Sequence, residues 1–126
     1  MIHRKILWID DIEDWSISAQ YKLKAMINLN KYSILIEHRK NGEDILNDLK
    51  MHEFDLVLMD YHMEPFNGDK YINDIHYDMT FAYVPIIFYT QDPNVNLSEL
   101  VIGKAGVVTC HRSTLVDDVF NRLFSR

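Results

Sequence analysis

Three short apolar runs, each ending on polar side chains, constrain this chain more than any other feature. Residues 56–59, Leu-Val-Leu-Met, show no polar alternation and stop abruptly on Asp60. A strand with no polar face is covered on both sides, and such strands belong almost only to parallel α/β sheets. The run 5–9 ends in the same way on Asp10 and Asp11, and the run 85–89 ends on Thr90. In open parallel sheets ligands bind in the crevice beyond the carboxyl ends of the strands. Asp10, Asp11, Asp60 and Thr90 are therefore expected together at one edge of one sheet.

The segments between these runs read as helices and two further strands. Ile12, Trp15, Ala19, Leu23 and Met26 recur at steps of three and four, an apolar stripe facing a core, with Asp11 and Asp14 as expected caps and a stop near residues 28–30. Residues 33–39, with Ile34, Leu35 and Ile36, predict a second strand. Asn41-Gly42 then turns the chain into a short helix bearing Ile45, Leu46 and Leu49. Pro65 and Gly68 break the chain after Asp60, and Ile72, Ile75 and Met79 mark the next helix. Asn96 with Glu99 predicts a capping box for a short fourth helix ending at Gly103. Residues 106–110 predict a fifth strand. Thr114 with Asp117 predicts a second capping box, opening a helix with the apolar face Leu115, Val116, Val119, Phe120 and Leu123. Strands alternating with helices in this way predict a doubly wound, five-stranded parallel α/β sheet with helices on both faces, because parallel strands need crossover connections.

At 126 residues the chain is expected to form one domain, 1–126. A hydrophobic share of 48% with 25% charged residues belongs to globular proteins rather than disordered ones. The net charge of -6 argues against a sequence-independent nucleic-acid surface, which needs a cationic stripe to displace counterions. No apolar run reaches the roughly 18 residues of a membrane helix, and the chain enters its first strand directly, so a cytoplasmic location away from membranes is expected. The lone Cys110 forms no internal disulfide and reads as a small buried hydrophobe. The six histidines include no pair at the i, i+4 spacing that metal sites favour on helices, and read as surface or packing residues. Trp8 and Trp15 read as core.

Three carboxylates held within a few ångströms repel one another, and one would ordinarily take up a proton. A divalent cation removes that cost. Oxygen donors without a nearby cysteine or histidine pair favour Mg²⁺. Asp60 then reads as a nucleophile toward a phosphoryl group, with Thr90 donating a hydrogen bond to a transferring oxygen.

At these spacings the chain resembles the receiver domains of two-component response regulators. The resemblance rests on Asp10-Asp11 after the first strand, Asp60 ending the third, Gly68 eight residues on and Thr90 ending the fourth. It implies the flavodoxin-like strand order 2-1-3-4-5. It also implies Asp60 as phosphoacceptor, Asp11 as a direct Mg²⁺ ligand, Asp10 as a ligand through water and the backbone carbonyl of His62 as a further ligand. Four positions depart from the family's pattern. Glu64 stands where proline is usual, with Pro65 following. Gln91, after Thr90, replaces a small residue and could crowd the phosphoryl group. Counting from Gly106, the usual lysine falls on Cys110 and the aromatic switch on Val107. His111 and Arg112 are the cations within reach. Arginine stays charged and offers a planar fork suited to phosphate, so Arg112 is the expected replacement, with a solvated arginine opening a loop as the other reading.

The resemblance implies a signalling module rather than an enzyme. Its expected partners are a histidine kinase or phosphotransfer protein, and an output protein or effector domain, with a homodimer as a further form. The alternatives are a pseudo-receiver that binds a partner without phosphorylation and, remotely, a haloacid-dehalogenase-type phosphatase. The latter places its working aspartates two residues apart on one strand end, which neither Asp10-Asp11 nor Asp60-Tyr61-His62 matches.

Overall fold

The computed structural model describes residues 2–29 and 32–124. Strands β1 (His3–Ile9), β2 (Ser33–Arg39), β3 (Leu56–Asp60), β4 (Ile86–Thr90) and β5 (Val107–His111) form one parallel sheet in the order β2-β1-β3-β4-β5. Helices α1 (Glu13–Leu29), α2 (Ile45–Met51), α3 (Gly68–Tyr77), α4 (Leu97–Leu100) and α5 (Leu115–Phe124) connect and follow the strands. This is the flavodoxin-like arrangement that the resemblance implies.

Strand side chains point alternately to opposite faces, and that alternation divides the core into two layers. Ile6, Trp8, Leu56, Leu58, Ile87 and Tyr89 face α1 and α5, where they meet Leu23, Ile27, Leu115 and Val119. Leu7, Ile9, Val57, Met59, Ile86 and Phe88 face the opposite layer, where they meet Leu49 of α2, Ile72 and Ile75 of α3 and Leu97 of α4. All residues of β3 and β4 are buried, as their unbroken apolar runs require.

Several local expectations are corrected. In α1 the buried face is Ser16, Ala19, Leu23 and Ile27, while Ile12 lies ahead of the helix and is exposed. Asp10 rather than Asp11 or Asp14 accepts from the Ile12 N–H at 2.7 Å, and Asp14 already lies inside the first turn of the helix. Of the expected stop near 28–30, residue 30 lies outside the described residues, and the helix runs to Leu29. Leu35 is exposed, since β2 is an edge strand. Met79 is exposed beyond the end of α3 at Tyr77.

Neither expected capping box closes. The Asn96 side chain makes no cap hydrogen bond, and α4 ends at Leu100 rather than Gly103. The Thr114 hydroxyl donates to Asp118 at 2.9 Å, not to Asp117, because the 3₁₀ turn Arg112–Thr114 precedes α5 and shifts its first turn. Strand β5 starts one residue late: Gly106 has φ +80°, a left-handed conformation that cannot lie in a strand, so the strand runs to His111. The strand-end position opposite Thr90 is therefore His111, and not Cys110.

Candidate functional site

The carboxyl ends of β1 and β3 lie side by side, and this alone brings the predicted acids together. Among the described residues Asp10, Asp11 and Asp60 form a group whose carboxylate oxygens lie within 4.8 Å of one another. Asp10 and Asp60 are buried at 1% and 7% exposure, whereas Asp11 faces solvent. Burial, followed by the charges of Asp10 and Asp11, pushes the Asp60 carboxyl up to about 8. The Tyr61 backbone and the Arg112 guanidinium pull it the other way. Asp10 is also raised, chiefly by burial, and is partly held down by hydrogen bonds from Tyr89 and Ile12.

Gly68 brings α3 against this strand end. Its N–H donates to the Tyr61 carbonyl at 2.8 Å, and a Cβ there would lie 2.1 Å from the Asp60 carbonyl oxygen and 2.9 Å from Met59 Cγ. Only glycine permits that approach, which is why it follows the acid at this distance.

Thr90 ends β4 beside Asp60. It is buried, and its hydroxyl accepts from the Asp92 N–H at 3.1 Å, closing the turn into the next loop. The Asp92 carboxylate meets His62 Nε2 at 2.9 Å, so the loops after β3 and β4 are tied together over the site. Gln91 is exposed, and its backbone carbonyl lies 3.2 Å from His111 Nε2. Between the β4 loop and the end of β5 an open cleft of about 450 Å³ is lined by Thr90, Asn94, Ser98 and Thr109 among others.

The two candidate cations differ in how they are engaged. His111 Nδ1 accepts from the Ser113 N–H at 3.0 Å, which leaves Nε2–H to donate to the Gln91 carbonyl. Its ring is thus used to tie the ends of β4 and β5 together. Arg112 stacks its guanidinium on Trp15, 4.6 Å from the ring centroid, within range to lower the Asp60 proton affinity. Cys110 is only half-buried, and burial with the neighbouring Asp118 pushes its thiol up to about 12.

Reading the sequence misses the aromatic residues beneath the acids. Trp8 Nε1 donates to the Tyr89 hydroxyl at 2.8 Å, and that hydroxyl donates to Asp10. Trp15 packs edge-on to Trp8 at 6.0 Å and against Tyr89 at 5.8 Å. A tyrosine inside an apolar run reads as core. The available signal was that a fully buried phenol must find a polar partner, and that Trp8 and Asp10 share one face of β1.

Comparison with known proteins agrees with the geometry. The family model for the response regulator receiver domain matches residues 6–110. The chain therefore belongs to the response regulator receiver domain family, whose members serve in two-component signalling. Solved structures with the same fold include the phosphorylated cyanobacterial phytochrome response regulator RcpA, at 15% identity and a TM-score of 0.72, covering 98% of this chain and 95% of that one. The receiver domain of a DNA-binding response regulator from Colwellia psychrerythraea matches at 19% identity and TM-score 0.72, covering 98% and 99%. That of a signal transduction histidine kinase from Syntrophus aciditrophicus matches at 21% and 0.71, covering 95% and 89%. No curated protein sequence matches the chain significantly.

Proposed function

We propose that this chain accepts a phosphoryl group on Asp60 from a histidine kinase or phosphotransfer protein, and passes the resulting change to an output protein or effector domain. The observation that carries the reading is the Asp60 carboxyl itself, buried at the end of β3 with Asp10 and Asp11 oxygens within 4.8 Å. A site of three acids with, among the described residues, no sulfur or imidazole donor in the group suits Mg²⁺, and the raised proton affinity of Asp60 marks charge that the fold leaves unbalanced. Asp11 and Asp60 would hold the ion directly, Asp10 through water, and His62 through its backbone carbonyl. Bound there, Mg²⁺ offsets the repulsion among the acids and neutralises charge on the transferring oxygens.

The chain's own residues supply the rest. An Asp60 carboxylate oxygen attacks phosphorus as the bond from phosphorus to the donor imidazole breaks and its electron pair leaves with the ring. Thr90 reaches a phosphoryl oxygen by turning its hydroxyl away from the Asp92 N–H it now accepts from. Arg112, carried on Trp15, meets the remaining charge, while His111 is already committed to Ser113 and Gln91.

The test is incubation with Mg²⁺ and acetyl phosphate, followed by mass spectrometry. A base-labile gain of one phosphoryl group on Asp60, lost in Asp60→Asn, supports the reading. The histidine at the lysine's strand-end place favours one rival, a pseudo-receiver that binds its partner unphosphorylated. An unlabelled protein that still binds Mg²⁺ would decide for that rival.

A further inference from the structure

We propose that Tyr89 is a positioning residue of the acidic site, its hydroxyl aiming the Asp10 carboxylate for a divalent cation. This rests on the reading that Asp10, Asp11 and Asp60 hold such an ion. An indole N–H is a donor only, so at 2.8 Å from Trp8 Nε1 the Tyr89 oxygen must accept. The single phenolic proton is then directed at Asp10 Oδ2. The other oxygen of Asp10 accepts from the Ile12 N–H at 2.7 Å. Two donors, one from β4 and one from the turn after β1, thus fix both the rotation and the tilt of this carboxylate. About four lone-pair sites belong to an ionised carboxylate, so room to accept from a water on the ion remains after both bonds are made.

The phenol cannot drift. Trp8 and Tyr89 are fully buried, and Trp15 packs against both rings. A phenylalanine would fill the same core volume, so the hydroxyl contributes the bond to Asp10 rather than packing. Groups that orient a metal-ligating carboxylate from behind typically matter by about 10–100-fold in metal affinity when removed.

The experiment is a Mg²⁺ titration of the full chain, followed by the indole N–H resonances of Trp8 and Trp15, for the parent, Tyr89→Phe, Asp10→Asn and the double variant. The parent's Trp8 signal should move on binding, because its N–H reports on the phenol that bonds the ligand. Tyr89→Phe should bind about tenfold more weakly. In the Asp10→Asn background the same change should cost nothing further, since the hydroxyl acts only through that carboxylate. A merely structural role would weaken both backgrounds equally, and that result overturns the proposal. So does equal affinity of Tyr89→Phe and parent, or a parent whose Trp8 signal stays still at saturation, which needs no variant to fold. A parent that binds no Mg²⁺ by any resonance removes the underlying cation site and this role with it.

Discussion

Asp60 is an acid under electrostatic strain, and the sign of that strain sets a pH dependence. Its carboxyl holds a proton up to about pH 8 in the fold, against an ordinary value of 3.8. Between those limits the folded state binds more protons than the unfolded one, so in chelator stability falls as pH rises from about 4 to about 8 and then levels off. Asp60→Asn removes this slope. Each pKa unit is worth about 1.4 kcal/mol, so a shift of roughly four units bounds the gain at about 6 kcal/mol; the variant should exceed the parent by a few kcal/mol at pH 8, and by little at pH 4, in urea melts without metal. Arg112 makes a second expectation at this scale. Arg112→Ala should cut the yield or lifetime of the phosphorylated protein about tenfold, and Trp15→Leu somewhat less, because it removes only the ring beneath the guanidinium. His111→Ala should change the lifetime little; labelling with acetyl phosphate compares all three. What could be read at this scale from the chain alone was which acids gather, since three of them stand where apolar runs stop, although a capping use of Asp10 and Asp11 has the same sequence appearance. Tyr89 is far harder to read, because its neighbours Phe88 and Ile87 give it the appearance of core and its partner lies 79 residues away.

Elements differ in how plainly they show in sequence, and the differences have physical causes. Strand β2 occupies 33–39 as its pattern predicts, and β3 ends on Asp60, because polar residues bound each run. Strand β5 slips by one, since the φ of Gly106 and not its neighbours' hydrophobicity decides where extension begins. Helix α4 shrinks to Leu97–Leu100 because Asn96 and Glu99 have the spacing of a capping box without the geometry, and spacing is all that a sequence displays. Gly68 is the clearest test of an element's placement. In Gly68→Ala the added carbon meets the backbone of Asp60, which cannot yield as a side chain tip would. The start of α3 must move, at a cost of roughly 1–3 kcal/mol or more, and phosphorylation at Asp60 should fall with it. Melting and labelling of one preparation check both; unchanged labelling would mean that α3 does not fix the strand end.

The two core layers share one sheet, so cation binding at its edge should be felt by the whole molecule. An ion bound only by the folded state stabilises by mass action, about 1.4 kcal/mol at ten times its dissociation constant. For a domain of this size that raises Tm by about 3–6 °C, and Asp11→Asn should abolish the rise; coincident melts with and without Mg²⁺ in the parent would contradict it. The strand order also bears on how the chain assembles. Because β1 lies between β2 and β3, residues 3–60 can close into three neighbouring strands before β4 and β5 add at the far edge. Shorter closures form first because they cost less chain entropy. Truncation at Val57 in β3 should therefore slow refolding, whereas truncation at Val119 in α5 should mainly speed unfolding, a contrast that stopped-flow kinetics resolves. On that sequence of events Asp10, Asp11 and Asp60 meet while Arg112 is still unfolded, and the acids gather before the guanidinium that lowers the Asp60 proton affinity has arrived.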